Sequence, residues 1–192
     1  TPMGSVDYPI SPVNLALGAG ATFVARTIDV FLPHMESVIM EAAAHSGTAV
    51  VEIYQNCNIF NDNAFKSFTD KALRDDRTVA LEHGQPVVFG KEGNKGLRLN
   101  AHMQAEVVTI GEDGITEQDL LVWDKHHGSR AVAMAMATMD EHTLPVPIGV
   151  FRSRVQPCFE DAMTAQANAA KEHNPDQDLQ ELLNGPDTWT VQ

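Results

Sequence analysis

Hydrophobic and polar positions change their spacing several times over the first 54 residues. Ser11 followed by Pro12 is a favourable helix start and predicts a short helix from Pro12 to about Ala19. A strand-like run, TFVART, follows at Thr22 to Thr27. Apolar residues then recur with helical spacing up to Ser46-Gly47, which predicts an amphipathic helix with one apolar face: Leu32, Met35, Val38, Ile39, Ala42 and Ala43.

The segment from Thr48 to Tyr54, TAVVEIY, is a short and almost continuous apolar run. Such a run is typical of a strand that is buried on both faces of a parallel sheet. Residues 12–54 therefore contain a βαβ unit and predict a parallel α/β sheet. Because ligands of such sheets bind beyond the carboxyl ends of the strands, the polar segment after Tyr54 is a candidate site.

The rest of the chain alternates short elements with loops, and the overall pattern is that of the α/β class. A short helix and a charged loop are predicted over residues 63–80. A hairpin is predicted where Val87–Phe89 and Leu97–Leu99 flank the segment Gly90–Gly96. The later elements are predicted in this order: a strand at 105–110, a short helix at 116–121, a helix at 129–140, an extended closing segment at 145–150 and a helix at 159–172. Residues 1–11 are predicted to be an irregular lead-in and residues 174–192 a polar tail.

Composition narrows the classes of partner. The 192-residue chain has 26 aspartates and glutamates but only 13 lysines and arginines, which gives a formal net charge of −13. This balance argues against nucleic acid or an anionic membrane surface as the main partner. No apolar run approaches the roughly 20 residues that span a bilayer, and the start at Thr1 has no signal-peptide pattern. Two cysteines are too few for a disulfide scaffold, so a reducing cytoplasm is the expected location.

Cys57 lies in a segment, Gln55 to Asp62, in which five of the eight residues are Gln, Asn or Asp. A thiol just past a strand is a nucleophile, a metal ligand or a small core residue, and residue type alone favours a buried structural cysteine. The polar neighbours favour instead a loop whose amides donate hydrogen bonds to something anionic, such as the sulfurs of an iron–sulfur centre. A nucleophile would need a nearby base, and the sequence does not identify a histidine for that role.

Other features are weaker candidates for chemistry. Cys158 is predicted at a helix start, where a thiol pKa can be lowered, but an incidental position is the favoured interpretation. His126 and His127 are expected in a solvated loop, and the preceding Trp123-Asp124 indicates an interface or the edge of a pocket. The Ala/Met-rich helix over residues 129–139 is expected to pack in a core or an interface. The sequence has no GxGxxG, P-loop or GxSxG motif, so either the chain binds no phosphate or the phosphate-binding half is missing.

Several segments resemble the beta subunit of a thiamine-diphosphate-dependent 2-oxoacid:ferredoxin oxidoreductase, most closely the 2-oxoglutarate type. They are TPMGS at 1–5, LALGAGATFVAR at 15–26, EIYQNCNIFND at 52–62, LEHGQP at 81–86 and LPVPIGVF at 144–151. The resemblance extends over about residues 1–172, and the segment from Glu52 to Asp62 is its most specific part. It implies a parallel sheet with flanking helices that forms part of a thiamine-diphosphate-binding fold of the pyrophosphate type. Residues 1–150 would be the C-terminal portion of that domain, and residues 151–192 a C-terminal helix and polar tail.

The resemblance also implies an activity, cofactors and partners. The family converts a 2-oxo acid and coenzyme A to an acyl-coenzyme A and carbon dioxide, and it passes the electrons to ferredoxin. It uses thiamine diphosphate with Mg²⁺ and a 4Fe–4S cluster, and an alpha subunit completes the active site. The helix over residues 129–139 is a candidate for the interface between the subunits.

Cys57 matches the family's last cluster cysteine, whereas Cys158 matches no family ligand. The other three cluster cysteines and the residues that hold magnesium diphosphate are expected before Thr1. The chain is therefore expected to be the C-terminal portion of a longer beta subunit and to be inactive alone. Two alternatives are a small standalone α/β cysteine hydrolase that uses Cys57 with a histidine base, and a non-catalytic interaction domain.

Overall fold

The computed structural model describes residues 3–4, 6–173, 178–187, 189 and 191. Its helices and strands in chain order are α1 (Pro12–Ala19), β1 (Phe23–Ile28), α2 (Leu32–Ala44), β2 (Ala49–Tyr54), α3 (Lys66–Thr69), α4 (Arg74–Arg77), β3 (Thr78–Leu81), β4 (Val88–Phe89), β5 (Lys95–Leu99), β6 (Ala105–Thr109), a 3-10 helix (Glu117–Asp119), α5 (Ala131–Ala137), β7 (Val146–Ser153), α6 (Phe159–His173) and α7 (Leu179–Asn184). The chain divides into two compact units, Thr1–Gln156 and Pro157–Gln192. Parts of the predicted lead-in (residues 1, 2 and 5) and of the predicted polar tail (174–177, 188, 190 and 192) lie outside the described residues.

The predicted βαβ unit is confirmed. The Ser11 hydroxyl accepts a hydrogen bond from the backbone N–H of Asn14 (3.4 Å) at the start of α1. Gly20 ends that helix with φ at 89°, a conformation that glycine adopts readily. β1 and β2 then pair in parallel along their whole lengths, with α2 as the connection.

The main sheet has the strand order β2-β1-β7-β3, in which β7 runs antiparallel to β1 and parallel to β3. The segment predicted as an extended closing piece at 145–150 instead belongs to a central strand, β7. The strand β3 begins within the stretch predicted as a helix and a charged loop. Gly149 permits the close approach of β7 to β3: its φ is 114°, and a Cβ there would lie 3.1 Å from the carbonyl oxygen of Leu81.

β2 is an edge strand, so the prediction that it is buried on both faces is wrong. Ile53 is 42% exposed, and Val50 and Val51 are only partly buried. Apolar composition predicted the strand but not its place, because β-branched residues favour strands at the edge as well as in the centre. Within the described residues, the outer edge of β2 pairs with no further strand of this sheet.

A second, antiparallel sheet contains β4, β5 and β6 in that order, which confirms the predicted hairpin and the strand after it. The helix predicted at 116–121 is shorter, a single 3-10 turn at Glu117–Asp119. The N–H and the hydroxyl of Thr116 both donate to the Asp119 carboxylate, at 2.8 and 2.9 Å. Thr116 thus starts the turn as predicted.

Both faces of the main sheet are covered, because successive strand residues point to opposite sides. Phe23 and Ala25 of β1 pack with Val38 of α2 on one side. Val24 lies in the larger core on the other side. The buried residues of that core come from α1, α5, strands of both sheets and short segments between the elements: Val13, Ala16, Leu17, Ala21, Val24, Val79, Leu81, Val87, Phe89, Leu97, Trp123, Ala133, Met136, Ala137 and Phe151.

Two features of the sequence, Trp123 and the Ala/Met-rich helix, belong to this larger core. Trp123 is 1% exposed and its Nε1 donates to the carbonyl oxygen of Val150 (2.9 Å), so it is a core residue rather than the edge of a pocket or an interface. In α5, Ala133 and Met136 are buried in the same core, which confirms a packing role for the predicted Ala/Met-rich helix.

The unit Pro157–Gln192 contains α6 and α7. α6 confirms the helix predicted at 159–172, and α7 is a short helix inside the predicted polar tail. Neither helix has a buried residue in the described part of the unit. The division into residues 1–150 and 151–192 as a cofactor-binding portion and a tail stays a prediction. Among all described residues, no helix has the length and apolar character needed to cross a bilayer.

Candidate functional site

The segment between β2 and α3 forms a loop that carries Cys57. The Cys57 thiol is free and exposed. The backbone N–H of Asn61 donates to the carbonyl oxygen of Cys57 (3.0 Å) and closes a tight turn. Cys57 is therefore not the buried structural residue that its type alone favours. Its position beyond the carboxyl end of a parallel strand is the one that the sequence predicts.

The backbone after Cys57 affects the acidity of its thiol. The N–H groups of Phe60, Ile59 and Asn61 favour the thiolate, which holds the pKa of the Cys57 thiol below its ordinary value. No histidine or other charged side chain of the described residues contributes to that shift. Backbone N–H groups in a turn are a known way to stabilise an anion, so this loop favours a sulfur anion.

The side chain of Asn56 connects distant parts of the same loop. Its Nδ2 donates to Oδ1 of Asn58 (2.7 Å) and to Oδ1 of Asp62 (2.9 Å). Its Oδ1 accepts a hydrogen bond from the backbone N–H of Asn63 (2.8 Å), and the Asn63 side chain donates to Asp62 (2.9 Å). The composition predicts that side-chain amides donate to an outside anion. In the structure the amides of Asn56 and Asn63 bind within the loop, and it is the backbone N–H groups that favour the Cys57 thiolate.

Aromatic residues hold the two ends of the loop together. Tyr54 at the end of β2 stacks on Phe65, with ring centroids 4.7 Å apart and an interplanar angle of 4°. Both rings also contact Phe68 of α3, which is 2% exposed. The loop thus begins and ends on a packed aromatic cluster while its tip is open: Phe60 is 90% exposed.

A cleft of about 570 Å³ opens toward the same end of the sheet. Arg26 of β1 and Glu52 of β2 line it and form an ion pair, with Nε and Oε2 2.6 Å apart and side chains that are 6% and 12% exposed. The Arg26 guanidinium also lies 5.0 Å from the ring centroid of Tyr54. Burial raises the pKa of Tyr54 to about 12. The ion pair therefore joins β1 and β2 beside the residue from which the Cys57 loop starts.

The sequence patterns did not single out this ion pair. The sequence does contain a signal for it. The apolar strand β1 has one charged residue, Arg26, and the apolar strand β2 has one of opposite sign, Glu52. The parallel register of the βαβ unit places Arg26 directly opposite Glu52. With this register of β1 and β2, the contact between Arg26 and Glu52 is predictable from the sequence.

The other candidates from the sequence have hydrogen-bond or ring partners of their own. The Cys158 thiol donates to the Asp161 carboxylate (2.9 Å), which raises its pKa, so the helix start does not activate this thiol. The His126 ring lies edge-on to His83, with centroids 4.7 Å apart, and its Nδ1 lies 2.6 Å from the carbonyl oxygen of Ser153. The described residues contain no group of three or more His, Cys, Asp or Glu side chains that could hold a metal ion.

The fit to the family's cofactors differs between the two metal sites. An exposed thiol whose thiolate is favoured by backbone N–H groups fits one ligand of an iron–sulfur cluster, since cluster sulfurs accept such hydrogen bonds. A Mg²⁺ diphosphate site uses oxygen ligands, and the described residues contain no group of three or more His, Cys, Asp or Glu side chains that could hold the ion.

Comparisons with known proteins agree on one family. No family model matches the chain. The chain is 38% identical over 194 residues to the 2-oxoglutarate oxidoreductase subunit KorB of Mycobacterium tuberculosis, covering 100% of this chain and 51% of that protein. It is 34% identical over 99 residues to the 2-oxoglutarate synthase subunit KorB of Archaeoglobus fulgidus, covering 48% of this chain and 37% of the relative. A 2-oxoacid:ferredoxin oxidoreductase subunit beta of Saccharolobus solfataricus is 34% identical over 72 residues, covering 38% of this chain and 24% of the relative.

The fold agrees with these relationships. The 2-oxoglutarate:ferredoxin oxidoreductase from Magnetococcus marinus, solved with 2-oxoglutarate, coenzyme A and succinyl-CoA bound, superimposes with a TM-score of 0.58. That match is 18% identical and covers 98% of this chain and 48% of the other. The chain spans about half the length of its M. tuberculosis relative. The relatives give no support to a cysteine hydrolase or a separate interaction domain, and the chain belongs to the beta-subunit family of the 2-oxoacid:ferredoxin oxidoreductases.

Proposed function

We propose that this chain is the C-terminal portion of the beta subunit of an enzyme that oxidatively decarboxylates a 2-oxo acid, with 2-oxoglutarate as the substrate. The reaction converts the 2-oxo acid and coenzyme A to an acyl-coenzyme A and carbon dioxide, and the two electrons released reduce two molecules of ferredoxin. Support comes from the 38% identity to the M. tuberculosis KorB over the whole of this chain. The substrate follows the names of the two KorB relatives.

Within that enzyme, Cys57 supplies one thiolate ligand of a 4Fe–4S cluster. The cluster, when bound, accepts electrons one at a time. The observation that carries this role is the free, exposed Cys57 thiol just beyond the carboxyl end of a parallel strand, and the backbone N–H groups of Ile59, Phe60 and Asn61 favour its thiolate. The other three cluster cysteines, and the residues that bind thiamine diphosphate and Mg²⁺, belong to parts of the enzyme outside this chain.

The rest of this chain supports the ligand loop. The Arg26–Glu52 ion pair and the stacked rings of Tyr54 and Phe65 fix the strand ends from which the loop projects. The carboxyl end of β2 therefore holds its position while the loop itself stays accessible. Such a rigid support is what a metal ligand needs, since small displacements of ligands weaken metal sites.

The partners in this proposal are an alpha subunit and ferredoxin. Ferredoxins are acidic, and this chain has a net charge of −13, so ferredoxin docks on a local basic patch or on another subunit. The helix over residues 129–139 is proposed as an interface with the alpha subunit through its outer face, because Ala133, Met136 and Ala137 of its inner face are used in the core. Nucleic acid and membrane lipids are not partners in this proposal. A reducing cytoplasm is the proposed location, since it would preserve both free thiols.

The role of Cys57 is tested in the full-length beta subunit purified anaerobically with its alpha subunit. Iron per enzyme and the EPR spectrum of the reduced cluster are compared between Cys57→Ala and the matched control Cys158→Ala. We expect Cys57→Ala to lose cluster iron and the EPR signal, and Cys158→Ala to keep both. An unchanged iron content and spectrum in Cys57→Ala would refute the proposed ligand.

A further inference from the structure

We propose that Asn56 is a positioning residue that holds the Cys57 loop in the shape that presents the Cys57 thiol as a ligand. This inference rests on the proposed role of Cys57 as a cluster ligand. Asn56 does not itself contact the sulfur among the hydrogen bonds of the loop. It acts through the backbone around Cys57.

The loop needs such a residue because packing does not hold its tip. Ile59 and Phe60 are 85% and 90% exposed, although their backbone N–H groups are two of the three that lower the pKa of the Cys57 thiol. The aromatic contact between Tyr54 and Phe65 joins the ends of the loop but does not reach its tip. The conformation of the tip therefore depends on hydrogen bonds within the loop.

The side chain of Asn56 makes the hydrogen bonds that span the loop. Its carboxamide reaches forward two residues to Asn58, six to Asp62 and seven to the N–H of Asn63, so one side chain joins both sides of the turn. Asn63 has φ at 62°, a left-handed conformation that a residue other than glycine holds when its surroundings stabilise it. The bond from the Asn63 N–H to Asn56 supplies part of that stabilisation.

Only a carboxamide of this length supplies both kinds of bond. Asn56 uses two N–H donations and one carbonyl acceptance, whereas an aspartate cannot donate and would face the Asp62 carboxylate. Alanine removes all three bonds and frees the turn between Cys57 and Asn63. The backbone N–H groups of residues 59–61 would then no longer be held in a fixed place beside Cys57.

The consequence is measurable at a bound cluster. Hydrogen bonds from N–H groups stabilise the more negatively charged, reduced state, so losing them makes the cluster harder to reduce. Residues that orient metal ligands also slow the loss of metal, and removing one typically weakens a site by about tenfold or more. Asn56→Ala is thus expected to lower the midpoint potential of the cluster and to speed the loss of its iron.

The experiment uses the full-length enzyme with both subunits. The midpoint potential is measured by EPR-monitored redox titration, and iron loss by the rate of transfer to a chelator. Asn56→Ala is compared with Asn58→Ala, which removes one of the three bonds, and with Asn100→Ala. Asn100 is a matched control because its side chain also joins several residues of one loop. Its Oδ1 accepts hydrogen bonds from the backbone N–H groups of His102 and Gln104, at 2.9 and 3.0 Å.

We expect a lower potential and about tenfold faster iron loss in Asn56→Ala, smaller changes of the same direction in Asn58→Ala, and wild-type values in Asn100→Ala. If Cys57→Ala loses the cluster but Asn56→Ala and Asn58→Ala match Asn100→Ala in both measurements, the positioning role is overturned and the ligand role stands. If Cys57→Ala retains the cluster, both proposals are overturned.

Discussion

The acidity of the Cys57 thiol is set by the backbone around it. The N–H groups of Phe60, Ile59 and Asn61 lower its pKa, and the thiol is exposed to solvent. At Cys158 a hydrogen bond to the Asp161 carboxylate raises the thiol pKa. The two cysteines of the chain therefore differ in the direction of their pKa shift, which makes each a control for the other.

This difference predicts the order of thiol reactivity. Because the thiolate is the nucleophile, Cys57 is expected to react faster than Cys158 with iodoacetamide at neutral pH, and its rate is expected to reach half of its maximum at a lower pH. The rates are measured for Cys57 in Cys158→Ser and for Cys158 in Cys57→Ser, by mass spectrometry over a range of pH. Equal rates, or a faster Cys158, would show that the N–H donors do not stabilise the Cys57 thiolate.

The Arg26–Glu52 pair predicts a large, asymmetric effect on stability. Both side chains are mostly buried, so Arg26→Met leaves the Glu52 charge without its partner and is expected to lower the free energy of unfolding by about 3–5 kcal/mol. Adding Glu52→Leu to that variant is expected to restore most of the loss. Urea denaturation measures both effects.

A matched control lies on the second sheet. Arg98 and Glu106 form an exposed pair across β5 and β6 (3.2 Å), with 44% and 39% of their side chains accessible. Arg98→Met is expected to change the free energy of unfolding by less than about 1 kcal/mol. If Arg26→Met costs no more than Arg98→Met, the buried pair does not stabilise β1 and β2 as described.

At the scale of elements, two histidines in and just after α2 contact threonines in and just before β1. His34 Nδ1 lies 2.8 Å from the Thr27 hydroxyl, and His45 Nε2 lies 2.8 Å from the Thr22 hydroxyl. Burial lowers the pKa of both histidines, and nearby glutamates oppose that shift in part. The folded chain therefore prefers both rings neutral.

This preference predicts how stability depends on pH. The unfolded histidines have a pKa near 6.5 and the folded ones a lower pKa, so the unfolded state binds more protons below that value. The stabilisation is complete above about pH 6.5 and is lost as the pH falls through it. Urea denaturation between about pH 7.5 and 5.5 is expected to show falling stability, with a smaller slope in His34→Gln/His45→Gln. An equal slope in the double variant would contradict the assignment to α2.

Local pattern predicted the elements better than their places in the sheet. α1, α2, α6 and the hairpin have strong spacing or turn signals within their own residues, and each was predictable. The central place of β7 and the edge place of β2 depend on partners far along the chain, and composition does not identify those partners. The short strand β3 directly follows a run of charged residues, so the hydrophobic pattern does not predict it.

The site shows the same division. The position of the Cys57 loop followed from the strand before it and from its polar residues. The groups that favour the Cys57 thiolate are backbone N–H groups, whose direction depends on the shape of the turn and not on residue type. The hydrogen bonds from Asn56 to Asp62 and Asn63 likewise become apparent only in the folded loop, because they join residues six and seven positions apart.

At the scale of the whole molecule, the chain spans about half the length of its M. tuberculosis relative, and Cys57 is the one cluster ligand proposed among its described residues. One thiolate does not hold a four-iron cluster, which takes four. The 192-residue chain purified alone is therefore expected to contain neither iron nor thiamine diphosphate in stoichiometric amounts. Metal analysis and a thiamine assay measure this, with the full-length enzyme as the positive control. Stoichiometric amounts of both in the isolated chain would contradict the proposed division of ligands.

The central claim is that Cys57 binds iron in the assembled enzyme. Anomalous diffraction at the iron absorption edge, on crystals of the full-length enzyme with both subunits, locates each iron atom relative to the Cys57 sulfur. We predict one iron of a four-iron cluster within bonding distance of Sγ of Cys57. A complete cluster bonded only to other residues, with the Cys57 sulfur out of bonding reach, would contradict this account.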